Sequence, residues 1–473
     1  MTITTYDEIA LTRRARTEKD VIPVSAIATR WFILATISLA ASGGFAIILV
    51  AGRVPAIGEV LVQDPELAHR SLVVHVNLSM GAWFLACVAG MIRMLPDRFY
   101  LRAKAWPGLT VASLGIIALA SSTFFSDATP VLSNYVPVLD HPVFLIGLSL
   151  IACGLSWEFL NAPWLSCRGT YSLIPAEARP LLKAAALVFF VAMLTFAGAW
   201  WTQPEGLVQQ AHYERLAWGG GHVLQAFNTL GMLAAWLILL HHLTGRVTIS
   251  VRFARILAAM VVLPVLPGPW LTFGAHSGRW FTRMMEFGLF PATLLLMGAA
   301  AVSLWRYRQQ LSATRPASIA FIGLLTSAVM TLVGFGLGAL VAADTTLLPA
   351  HYHANIGAVS VAYMSVLLVL YSPTGATAGW LALVRWQPLI YGTGQMVFVI
   401  GLAIAGGLGQ AARKVYGQEQ HIAASSEWIG LVVAGIGGTL ALGGGALFVA
   451  IMIPAFIKTS LGRSVQTVYE TPE

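Results

Sequence analysis

The chain has 473 residues, of which 57% are hydrophobic and only 10% charged, and its mean hydropathy is +0.76. Such a composition excludes a water-soluble globular domain and describes a polytopic membrane protein. Its formal net charge of +8 reads as a topology signal and a contact for anionic lipid, and gives no case for nucleic acid as a partner.

Residues 1–30 are polar and basic and carry no cleavable signal pattern. Apolar stretches long enough to cross the hydrocarbon layer then follow at about 31–51, 71–93, 107–126, 142–164, 181–201, 217–242, 254–274, 286–305, 318–342, 351–371, 388–408 and 429–456. The expected fold is therefore all-α, a bundle of twelve transmembrane helices over 31–456. A short N-terminal segment (1–30) precedes it, and a tail (457–473) follows. Most of the 28 Lys and Arg residues fall in the loops on the side of the two termini. The other side keeps only Arg53, Arg70, Arg215, Arg279, Arg283, Arg413 and Lys414. The positive-inside rule makes both termini cytoplasmic, in a membrane of the bacterial inner type.

The candidate functional residues are taken in chain order. His75 lies about a turn into span 2, and His222 about a turn into span 6, after Gly219-Gly220-Gly221. Glu158 near the inner end of span 4 is the one carboxylate that reads as buried, with Arg168 as a possible ion-pair partner. His241 and His242 end span 6 on the inner side, where their rings are expected to snorkel to the headgroups. His276 closes span 7, and Arg279, Arg283 and Glu286 follow it. Glu286 reads as a proton relay or as a partner of Arg283. The segment Asp344 to His353 opens span 10 with His351 and His353 at i, i+2. Two such side chains point about 200° apart, so they cannot share one metal. They can serve two planar cofactors on opposite flanks of one helix, or be two hydrogen-bonded histidines at a membrane interface. His75, His222, His276, His351 and His353 all fall in the outer third of the membrane. Five imidazoles from four helices at one depth point to haem or metal. Cys87, Cys153 and Cys167 are single thiols, and no Cys-x-x-Cys-His sequence offers a covalent haem site.

These motifs resemble the catalytic subunit I of the haem-copper oxidase superfamily, which includes the large subunits of nitric oxide reductases. The resemblance rests on the Asp-Thr-x5-His-x-His entry to span 10, on His75-Val76-Asn77-Leu78 with Trp83 in span 2, on Gly219-Gly220-Gly221-His222, and on Arg413-Lys414-Val415-Tyr416 after span 11. It implies His75 and His353 as axial ligands of a low-spin haem and His351 as proximal ligand of a high-spin haem. It also implies His222 and His276 on a copper or non-haem iron. Arg413 and Lys414 would grip haem propionates, with Asp344 beside them. His353 is then expected to face span 2, and His351 to face spans 6 and 7.

The departures from the family pattern bear on the reaction. Span 7 carries one histidine where the family has two adjacent ones. Ser277, Gln225, Glu286 or water would have to complete the metal's coordination. Ala226 stands where oxygen-reducing members place a tyrosine, and span 8 has no lysine. The expected function is reduction of a diatomic gas, NO ahead of O2, by a respiratory oxidoreductase. The electron donor would be a cytochrome c, or a partner subunit bearing haem c or copper, on the outer face. The alternative is a haem-binding membrane protein without turnover, serving sensing, haem handling or electron transfer.

Overall fold

The computed structural model describes residues 24–95, 106–133, 136–161, 171–172, 174–273, 278–309, 311, 315–341, 344–371, 378–460 and 469–470. Twelve helices among them are long and apolar enough to cross a membrane: Ala26–Arg53, Pro65–Ile92, Trp106–Phe124, Pro142–Leu160, Arg179–Trp201, Gln209–Thr244, Val251–Phe273, Gly278–Arg306, Ser318–Gly338, Leu347–Leu370, Gly379–Gly407 and Ser425–Thr459. These are spans 1 to 12 of an all-α, multi-pass membrane bundle. Several start a turn or two earlier than the apolar pattern suggested. Span 2, for example, starts at Pro65, where the Asp64 carboxylate accepts from the Glu66 amide at 3.0 Å and Pro65 needs no donor partner. Span 6 ends where Gly245 takes a left-handed φ of +62° that only glycine adopts easily.

Spans 6, 10 and 2 form the centre of the bundle. Their apolar windows are 89%, 83% and 67% buried, whereas the other nine lie between 33% and 61%. These are the helices that carry His222, His351, His353 and His75. The outer helices pair through small residues, because lipid tails give apolar side chains no reason to prefer protein and only close backbone approach gains dispersion energy. A Cβ on Gly115 of span 3 would stand 2.7 Å from the Gly147 carbonyl of span 4. Gly401 and Gly430 seat spans 11 and 12 against each other in the same way.

Two of the helices contain π-helical turns, Asn77–Trp83 in span 2 and Met285–Leu289 in span 8. Such bulges often mark functional sites. At the end of the bundle opposite the termini a short hairpin, β1 (Thr129–Val131) with β2 (Val138–Asp140), lies over span 2 and is tied down by side chains. Asn77 Nδ2 donates to the Pro137 carbonyl at 2.8 Å, and the Tyr213 hydroxyl donates to Asp140 at 2.7 Å.

Candidate haem and metal site

Three of the histidines are fixed in one tautomer by backbone carbonyls. His75 Nδ1 lies 3.0 Å from the Ser42 carbonyl oxygen of span 1. His351 Nδ1 lies 2.7 Å from the Gly334 carbonyl of span 9, and His222 Nδ1 lies 2.6 Å from the Trp218 carbonyl of its own helix. A carbonyl oxygen can only accept, so Nδ1 carries the proton and Nε2 carries the lone pair. That is the form in which imidazole binds a metal. His242 makes the same in-helix contact to Ile238, so for His222 the setting is what counts. Its ring is 1% exposed, 4.7 Å from the Trp218 ring and 6.2 Å from Phe281.

The i, i+2 pair does separate. His353 lies within electrostatic reach of His75 and Arg53, beside Gln395, with its ring edge-on to Phe398 of span 11 at 4.8 Å. The buried Gln395 side-chain oxygen is an acceptor placed beside the imidazole. The contacts of the His351 ring among the described residues are with span 9, not with spans 6 and 7 as the resemblance implied. Gly338 leaves the slot there, since a Cβ on it would stand 2.7 Å from the His351 ring, and Gly334 leaves room for Asn355, which a Cβ would meet at 2.5 Å. The wheel fixes the angle between two side chains, whereas glycines on a neighbouring helix decide which gap a ring enters.

Packing around the pair is loose where it is tight elsewhere. Residues 82–95 of span 2 and its following turn, and 357–371 of span 10, are buried without a break. His75, Val76, Ser79, Met80 and Gly81 on span 2, and His351, Tyr352, His353, Asn355 and Ile356 on span 10, are all partly exposed. On both helices the partly exposed residues therefore gather at the end that carries the histidines, and the continuously buried ones at the other.

A cluster of buried cations lies at the same end of the bundle as the hairpin. Arg413 is 7% exposed and pairs with Asp344, whose carboxylate is 69% exposed. Lys414 donates to the Leu132 carbonyl beside the hairpin. Burial and the adjacent Arg413 hold its ammonium below the usual lysine range, against the pull of Asp344 and Glu214. Arg53, at the end of span 1, was read from sequence only as an outer-side charge. It is 6% exposed, donates to the Arg413 carbonyl and to the Tyr416 hydroxyl (2.8 Å), and stacks on the Tyr416 ring. It enters no ion pair among the described residues. A buried guanidinium without a carboxylate is expensive unless an anion joins it, and a haem propionate is such an anion. The donor set and the incomplete burial of the residues around it therefore both fit haem.

Other expectations come out differently. Glu158 pairs with Arg93 at the inner end of span 2, both side chains being at most 1% exposed; Arg168 lies outside the described residues. His241 lies 3.6 Å from the buried carboxylate of Glu177 and does not snorkel to the headgroups. Glu286 is exposed on its π turn and makes no ion pair with Arg283, so it does not line a buried metal site with His222. A charge one turn from a helix end gives no sign of which face it takes, and the π turn shifts that face. His276 and Ser277 lie outside the described residues. Among the described residues no three His, Cys, Asp or Glu side chains converge on one point. Tyr363, the buried tyrosine of span 10, donates to the Asn228 carbonyl at 3.4 Å. It stands 12 residues, about 18 Å along the helix, inward of His351.

No family model matches the sequence. An uncharacterised protein of Aquifex aeolicus is 26% identical over 73% of this chain and 84% of its own length. An uncharacterised protein of Rickettsia prowazekii is 24% identical over 90% of this chain and 95% of its own. Among solved structures, a haem-copper terminal oxidase dimer superposes with a TM-score of 0.72. That match covers 94% of this chain and 85% of the oxidase chain at 18% identity. The likeness extends over nearly the whole bundle and establishes the fold.

Proposed function

We propose that this chain is a haem-bearing membrane oxidoreductase of the haem-copper oxidase type, reducing a diatomic gas, with NO favoured over O2. The observation that carries the reading is the division of labour on span 10. His353 lies within electrostatic reach of His75 and packs on Phe398 of span 11, while His351 bonds to the Gly334 carbonyl of span 9. His75 and His353 would hold a low-spin haem and His351 a high-spin haem. His222, with His276, would hold copper or non-haem iron. Arg53, Arg413 and Lys414 would receive the propionates. Once bound, these groups supply one-electron transfer and an open coordination position for the gas.

The protein's own contribution is orientation and proton placement. Backbone carbonyls of Ser42 and Gly334 keep the Nδ1 protons on His75 and His351, so neither ring can present the wrong nitrogen. Ala226, 2% exposed, leaves no phenol a turn from His222, and Tyr363 donates elsewhere. Joining two NO molecules takes two electrons and two protons, whereas breaking O2 takes four electrons, one of which that phenol would supply. The lack of a tyrosine beside His222 therefore favours the two-electron reaction, without proton pumping. Electrons would arrive on the outer face from a cytochrome c or a partner subunit bearing haem c or copper.

The second reading, a haem protein for sensing, haem handling or electron transfer alone, is favoured by the single histidine of span 7 and the exposure of Glu286. Turnover in liposomes separates the two. Purified protein given a chemical reductant and cytochrome c should consume NO faster than O2 and leave the external pH without acidification. Rapid O2 consumption with external acidification would overturn the NO assignment. Turnover of neither gas would establish the non-catalytic reading.

A further inference from the structure

On the face that carries the termini, spans 5 and 7 begin side by side and border an open surface groove of about 450 Å³, with Arg255 exposed and Arg179 and Lys183 half-buried on its walls. Arg179, Lys183 and Arg255 line it together with Pro180, Val251 and Ala258, and no acidic residue does. Lys183 and Arg255 enter no ion pair among the described residues. The carboxylate nearest in sequence, Glu177, is turned elsewhere: it is fully buried, 3.6 Å from His241, and accepts from the Thr248 amide.

The arrangement runs against the helix dipole. The first turns of both helices contain no acidic residue, although the positive end of a helix favours anions. Cations gathered at two such ends repel the dipoles and one another, and an anion between them relieves both. Further along the same helices the surface becomes apolar and faces lipid. Leu187 and Leu194 on span 5 are 41% and 59% exposed, and Ile256 and Leu263 on span 7 are 55% and 63% exposed.

We propose that this groove binds a phosphate oxyanion, carried by the headgroup of an anionic phospholipid whose acyl chains lie along spans 5 and 7. The cations match the phosphate, and the exposed leucines and isoleucine match the chains. The site is separate from the histidine cluster and independent of the reaction proposed above.

The test uses the full chain in detergent, with thermal unfolding and native mass spectrometry as readouts. The probes are phosphatidylglycerol, phosphatidylcholine and inorganic phosphate. Phosphatidylglycerol should raise the unfolding temperature and remain bound as a discrete adduct. Lys183→Gln/Arg255→Gln should weaken it on the order of thirtyfold, at roughly fivefold per cation, while Lys183→Arg/Arg255→Lys should retain it. Equal stabilisation by inorganic phosphate, lost in the Gln variant, would keep the phosphate site but overturn the lipid as its source. Equal effects of phosphatidylglycerol and phosphatidylcholine, or no difference between wild type and the Gln variant, would overturn the proposal. If the Gln variant fails to fold, Ala258→Leu fills the groove with every charge in place, and it should displace the lipid; retention there would also overturn the site.

Discussion

An imidazole that binds a metal through Nε2 must hold its proton on Nδ1, and at His75 the Ser42 carbonyl fixes that proton. His75→Ala should therefore remove the six-coordinate low-spin haem spectrum while CO binding at a second haem persists. Ser42→Ala, which keeps the carbonyl and loses only the hydroxyl at 2.9 Å, should leave the low-spin spectrum in place. A full low-spin signal in His75→Ala would remove the ligand assignment. Arg53 bears on the same haem. Arg53→Leu deletes a buried positive charge, so the haem's reduction potential should fall and haem should be lost more readily on dilution. Unchanged potentials would return Arg53 to a purely structural role on Tyr416. Lys414 adds a pH signature. Its lowered value means that, between the folded value and the unfolded value of 10.5, the unfolded chain binds more protons, so stability rises with pH there. Below that window the penalty of the charged form is fully present. Lys414→Met should then stabilise haem-depleted protein near pH 7 and lose that advantage towards pH 10, while weakening haem retention in the loaded protein. Thermal unfolding with and without haem at the two pH values checks this.

At the scale of single helices, span 9 holds no titratable site residue yet sets the direction of His351. A Cβ on Gly338 meets that ring at 2.7 Å, while one on Gly336 meets nothing within 4 Å. Gly338→Val should disturb the high-spin haem and its CO complex, and Gly336→Val should leave both intact. Equal spectra for the two variants would mean that the slot does not position the ring. The Arg93–Glu158 pair joins the inner ends of spans 2 and 4 away from the histidines. Breaking one side, as in Glu158→Leu, leaves a buried guanidinium uncompensated and should cost about 3–5 kcal/mol. The double change Arg93→Met/Glu158→Leu should recover most of that in thermal unfolding, with spectra unchanged. These contacts mark the limit of what the sequence discloses. The i, i+2 spacing disclosed that His351 and His353 diverge, because helical geometry alone dictates it. It did not disclose that His351 lands on span 9, that Glu158 meets Arg93, or that Glu286 faces outward. Each of those depends on which helix packs alongside.

For the whole molecule, the number and order of the spans were legible because crossing a hydrocarbon layer demands long apolar runs. Their ends were less so, since the first turns of spans 2 and 6 carry polar residues such as Glu66, Gln209 and Gln210 that extend each helix beyond its apolar run. The buried cations were half legible. Arg413 and Lys414 stood out as an adjacent pair, but Arg53 joins them across 360 positions of sequence, and no local pattern announces it. Three central helices carry His75, His222, His351 and His353, and buried cations lie at the end of the bundle opposite the termini, where no carboxylate among the described residues pairs with Arg53. The central claim is that this outer third holds two haems, and counting haem answers it most directly. Purified full-length protein should contain two haems per chain by quantitative haem extraction, accompanied by one non-haem copper or iron if the site turns over. A chain that purifies folded with no haem, or with one, would contradict the account.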